Sequence, residues 1–157
     1  MAVDVTDLEK FGDEVVDLHH EPFEVQLPKS GYVYGTQVQA LARRLVPVDL
    51  GALKLSITPV VRQQVGGAII VEVGPTQKYG QGIEFGRPPH YVSPAQLAGW
   101  AKRRRVNPYA VSKAIEKRGT KAQPYMLPAF EQMEPQRDKF ILAAISEAIK
   151  AVFKNRV

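Results

Sequence analysis

The chain has 157 residues, no cysteine and a formal net charge of +5. A chain of this length suits one domain and buries roughly 70% of its unfolded surface without staples. The lack of cysteine excludes a disulfide framework, a thiol nucleophile and a cysteine-held metal centre. The start "MAVDVTDLEKFGDE" is acidic and polar, and no apolar run approaches the ~20 residues that a bilayer requires, so the expectation is a soluble, unexported protein without a membrane span.

Charge is divided along the chain. Residues 1–35 carry eight acids and two lysines, a net of −6, whereas residues 87–121 carry nine bases and the single acid Glu116, a net of +8. A subunit that docks head to tail on copies of itself has a use for both patches, and a duplex binder has none for the acidic one.

Thr6 and Glu9 have capping-box spacing, and Leu8, Phe11, Val15 and Leu18 recur at helical intervals, predicting a helix over about 7–19 that Pro22 ends. "FEVQL" at 23–27 alternates as a strand does, closed by Pro28 and Gly31. Val38, Leu41, Ala42 and Leu45 give a helix over 34–46, with Arg43 and Arg44 on its solvent side and Pro47 as its stop. Asp49 is placed to cap a helical turn at 50–55. The stretch "SITPVVRQQVGGAIIVEVG" reads as a β-hairpin turning at Gly66 and Gly67, its second arm at 68–73 a central strand with Glu72 on the face opposite Val71 and Val73.

In "GPTQKYGQGIEFGRPPH", Tyr79, Ile83 and Phe85 are expected to anchor a short strand or extended segment. Glu84, held between apolar neighbours, needs a partner there, expected to be an arginine or lysine of its own or another subunit. Two short helices follow. Ser93, Pro94 and Gln96 start the first, with Leu97, Trp100 and Ala101 inward. Asn107 and Pro108 start the second, with Val111, Ala114 and Ile115 inward and Gly119 at its stop. The basic run from Lys102 to Arg105 straddles the end of the first, where cations are favourable. Pro135 opens a last helix to about Lys154, with Ile141, Ile145, Ala148, Ile149 and Val152 as its stripe and Phe140 and Phe153 beside it.

The sequence carries no phosphate-cradling loop, dinucleotide fingerprint or nucleophile elbow, and Gly80 and Gly82 lie in a predicted loop. His19 and His20 point about 100° apart on a helix, and His90 is distant, a poor ligand supply for a metal. The acids in apolar or glycine-rich surroundings are Asp49, Glu72 and Glu84, but no base, nucleophile and orienting group come together around them. The expectation is therefore a protein that is not an enzyme and needs no cofactor.

Three stretches taken in order carry more: "ARRLVPVDLGALKLSI" at 42–57, "YGQGIEFG" at 79–86 and "KAQPYMLPAF" at 121–130. Their order and spacing around a hairpin resemble the tail-component family of long-tailed bacteriophages, which contains head-to-tail joining, tail-completion and neck proteins. Pro47, Val48, Asp49, Gly51, Leu53, Ser56 and Ile57 match the first family motif, with Leu50 in place of threonine. Glu84, Phe85 and Gly86 match the second, with Arg87 where threonine is common. Gln123, Pro124, Tyr125, Pro128, Ala129 and Phe130 match the third, with tyrosine in place of phenylalanine. The similarity covers about 34–153, residues 87–121 resembling an insertion and residues 1–33 matching least.

Read on the residues, these motifs are structural and interface elements, with Phe130 closing the core. The resulting expectation is one α+β domain over 1–157: an antiparallel sheet around the central hairpin, packed by two main helices. Its parts are an acidic helix and strand (1–33), a helix and hairpin (34–86), a basic two-helix insertion (87–121), and a proline-bounded segment with the C-terminal helix (122–157). The resemblance implies a virion protein assembled in the host cytoplasm, a closed ring of copies, hexamer or dodecamer, at the neck. Its partners would be a head-side connector or head-closure protein and a tail terminator or tail-tube protein, with incidental contact of genomic DNA. Lys102, Arg103, Arg104, Arg105, Lys117 and Lys121 are the candidate channel or DNA-facing residues. The rival reading is a nucleic-acid-binding module in which Trp100 stacks beside the 102–105 run, Lys113, Lys117, Arg118 and Lys121. Trp100 shares the apolar face of Leu97, which favours a core position.

Overall fold

A computed structural model describes the backbone of residues 5–154 apart from Gly66, and the side chains of 23–152 apart from that glycine. The expected apolar stripe Leu8, Phe11, Val15 and Leu18, and the side chain of Phe153, lie outside the described residues. The fold is α+β: among the described residues it is mostly helical, with one two-stranded antiparallel hairpin packed against helices. In chain order the elements are α1 (Val5–Leu45), α2 (Ala52–Ser56), β1 (Ile57–Gln63), β2 (Ile69–Pro75), α3 (Gly80–Glu84), α4 (Pro94–Arg104), α5 (Pro108–Arg118), α6 (Met126–Met133), a single 3-10 turn (Glu134–Gln136) and α7 (Arg137–Lys154).

The predicted strand at 23–27 is helix instead. Phe23, Leu27, Gly31, Tyr34, Val38 and Ala42 turn inward at spacings of three and four, while Val25 is exposed. This longer period overrides the local alternation. The helix also runs through Pro22 and Pro28, although each proline removes a backbone donor. Pro47 does lie beyond its end at Leu45, and the last-turn bond from Val46 N to Ala42 O closes it.

The chain divides into two compact units. The first comprises residues 1–37, 59–72 and 133–157. In it α1 crosses the hairpin at Gly31, where an added Cβ would stand 2.9 Å from Val71 Cγ2. Ser30 Oγ donates to Phe140 O at 2.6 Å, and the Tyr34 and Phe140 rings meet edge to face at 5.5 Å. The inward face of α7 runs through Phe140, Ala144, Ala148 and Val152. Ile141 and Ile149, expected in that face, are exposed, because the four-residue spacing of the alanines sets which side approaches closely. Glu72 pairs with Arg62 on the exposed side of the hairpin. The second arm of the hairpin is not a central strand: with two strands in the sheet each is an edge, and β2 is only partly buried.

The second unit comprises residues 38–58 and 73–132. Val38, Ala42, Val46, Leu53, Ile57 and Tyr125 are among its buried residues. The two short helices start as the sequence predicts. Ser93 accepts from Gln96 N, and the Asn107 side chain accepts from Tyr109 N at 2.9 Å. Gly119 ends α5 at a φ of 73° and Arg105 ends α4 at a φ of 55°. Thr120 then forms an antiparallel bridge with Arg87.

Candidate functional site

All the candidate site residues lie in the second unit, and the structure ties two of the three motifs together. Residues 80–84 form α3 rather than an extended segment. That turn of helix buries Glu84, which is 6% exposed, and turns Phe85 outward. The Glu84 carboxylate accepts from three consecutive backbone amides: Tyr125 N at 2.7 Å and Met126 N at 2.9 Å on Oε2, and Leu127 N at 2.9 Å on Oε1. No arginine or lysine is needed, since the free N–H groups at the start of α6 supply both hydrogen bonds and the positive end of a helix dipole. Gln123 N donates to Ile83 O at 2.8 Å, a fourth link between the same two stretches.

Proline explains why the amides of 125–127 are free to point at Glu84. Pro124 disfavours a helical conformation at Gln123, so the helix begins after it, and Pro128 occupies the first turn of α6, where its missing N–H costs nothing. Tyr125, wholly buried, sits under this junction with its hydroxyl 3.5 Å from Gly80 O. Burial, helped by the Glu84 carboxylate, pushes its phenol up to about 12. Phe130 is half-buried, so it closes the core only in part.

The first motif is organised differently from the expectation. Gly51, not Asp49, caps α2, and Asp49 makes no cap bond because its carboxylate is held by the Arg103 guanidinium through two donors. Those hydrogen bonds hold the Asp49 carboxyl below its usual value and push Arg103 further up. Ser56 Oγ donates to Leu53 O at 2.8 Å at the end of α2. Arg43, assigned to solvent from the sequence, reaches across instead and donates to the carbonyls of Lys54, Leu55 and Ile57. Gln39, one turn earlier, donates to the same Ile57 carbonyl. The only sequence signal for this clasp is a polar i, i+4 pair beside the apolar stripe; its targets depend on where α2 docks.

The basic run is divided by the fold. Arg103 is paired with Asp49, Arg104 donates to Val48 O at 3.3 Å, and Arg105 supplies the left-handed residue that ends α4. Lys102, Lys117 and Lys121 are exposed. Trp100 is not core: it is 36% exposed and lines a groove of about 600 Å³. Its lining includes the stretch from Pro47 to Lys54 together with Arg87, His90 and Lys121. Asp49 is the one carboxylate in its lining.

The site therefore holds a buried acid satisfied by amides, an exposed ion pair and a basic, partly apolar groove. Among the described residues no group of three histidine, aspartate or glutamate side chains could hold a metal ion, and no helix is long and apolar enough to cross a membrane. No protein-family model, curated protein or solved structure matches the chain.

Proposed function

We propose that the chain is a structural virion protein of the phage head-tail junction, a neck or tail-completion subunit rather than an enzyme. Copies associate heterologously into a closed ring around the DNA channel, and the two faces of the ring bind the head-side and tail-side neighbours. The supporting observation is the use the fold makes of its motifs. Their polar groups are consumed in scaffolding, while Leu50, Leu55 and Phe85 stand outward, 74%, 72% and 77% exposed. Large apolar side chains left in water beside a rigid frame suit contact with other protein chains.

A nucleic-acid module draws less support, because Arg103 and Arg104 already have partners in the fold. Electron microscopy of lysates from a phage with this gene interrupted tests the proposal. Filled heads beside separate, finished tails are expected, and normal infectious particles refute it.

A further inference from the structure

The groove of the second unit has both the charge and the apolar lining to receive a protein segment. Its lining carries Lys54, Arg87, Arg104 and Lys121, against the single carboxylate of Asp49, which Arg103 already neutralises. Val48, Leu50 and Trp100 line it and remain open to solvent. A volume of about 600 Å³ lies within the range that accepts several large side chains. A lining that combines cations with exposed apolar side chains selects an acidic amphipathic helix rather than a polyphosphate backbone, which has no use for the apolar part.

The chain carries such a helix. Eight of its acids fall between Asp4 and Glu24, with Lys10 the one base among them, and Leu8, Phe11, Val15 and Leu18 repeat at helical spacing through the same stretch. From Val5 on, the backbone there is the first part of α1.

We infer that the acidic N-terminal part of α1 of one copy docks in the basic groove of a second copy. The contact is head to tail, so each copy offers one arm and one groove and the association continues around a ring. This deepens the ring reading by naming its interface, and it rests on that reading only for the expectation that copies associate.

Charge reversal on the full-length chain tests it. The arm variant is Asp13→Lys, Glu14→Lys and Asp17→Lys; the groove variant is Lys54→Glu and Lys121→Glu. Lysine and glutamate are both good helix formers, so neither set disturbs α1 or α2 by propensity. By sedimentation velocity at about 100 µM, a concentration that populates weak assemblies, the unmodified chain is expected to self-associate. Each variant alone is expected to sediment as a monomer, because the arm variant leaves the arm near neutral and the groove variant leaves the groove without net positive charge, so the attraction is lost in both. An equimolar mixture is expected to form one-to-one pairs, since the unaltered acidic arm of the groove variant meets the unaltered basic groove of the arm variant.

A monomeric unmodified chain, variants that associate as the parent does, or a mixture that stays monomeric each overturns the docking. The unmodified chain gives a reading independent of folding defects: its association is expected to weaken about tenfold or more between about 0.05 and 0.5 M salt, and insensitivity to salt counts against the arm. Duplex DNA added to the unmodified chain is expected to leave the sedimentation profile unchanged; dissociation of the assembly by DNA assigns the groove to nucleic acid instead. Docking that fails in a chain still required for head-tail joining removes the arm alone. Docking that holds in a chain dispensable for joining removes the virion role alone.

Discussion

Glu84→Gln replaces one carboxylate oxygen by an amide nitrogen and otherwise keeps the side chain. The carbonyl oxygen can retain the two amides now on Oε2, Tyr125 N and Met126 N, but the new –NH2 then faces Leu127 N–H, donor against donor. The lost charge-assisted bond costs about 1.5–3 kcal/mol. The two retained bonds weaken toward neutral strength, and the negative charge at the start of α6 disappears, which adds about 1 kcal/mol more in a partly buried setting. The expected loss is about 3–5 kcal/mol, or a fall in melting temperature of about 10 °C for a chain of this size. Urea unfolding at neutral pH, followed by circular dichroism, measures it. A loss under about 1 kcal/mol would show that α6 does not depend on the carboxylate and refute the account of the second and third motifs as one tie.

Two further predictions concern the same unit. Tyr125→Phe removes a phenol raised to about 12. Its folded value lies above the unfolded value near 10, so the stability it contributes is complete below about pH 10 and is lost as pH rises toward 12. The variant is therefore expected to match the parent within about 1 kcal/mol at neutral pH, where the long bond to Gly80 O is worth little. Its alkaline decline in a pH series of urea melts should be shallower by roughly 2–3 kcal/mol; an unchanged decline refutes this. Gly119→Ala puts a Cβ 2.1 Å from Arg87 O at a φ of 73°. The bridge between Arg87 and Thr120 must then open or the end of α5 unwind, costing about 3 kcal/mol or more. Thermal melts within a few degrees of the parent would show that this turn yields easily.

Local chemistry was legible in the sequence wherever it acts within a few residues. The serine and asparagine caps, the prolines after them, Gly119 at the end of α5 and the hairpin arms all follow from short-range rules. The strand assignment at 23–27 failed because five alternating residues outweighed a period that becomes visible only when Phe23 and Leu27 are joined to Tyr34, Val38 and Ala42. The partners of Glu84, Arg43 and Asp49 were not legible. Each is met 11 to 54 residues away in sequence, and two of the three acceptors or donors involved are backbone groups, which every residue has and none advertises.

The same limit applies to the charge of the basic segment. Counted along the chain, residues 87–121 hold an excess of eight positive charges, and the run at 102–105 looks like its centre. In the folded unit, Arg103 is neutralised by Asp49 from outside that segment and Arg104 is turned onto the Val48 carbonyl. Of the groove's cations only Arg104 comes from that run; the others are Lys54 from α2, and Arg87 and Lys121 from either side of the α4–α5 pair. Folding thus gathers most of the groove's positive charge around Leu50 and Trp100 rather than at the most conspicuous run. A test aimed at residues 102–105 would disturb the end of α4 and the loop that Asp49 anchors. Reversing Lys54 and Lys121 leaves both intact, and for that reason these two lysines carry the decisive experiment.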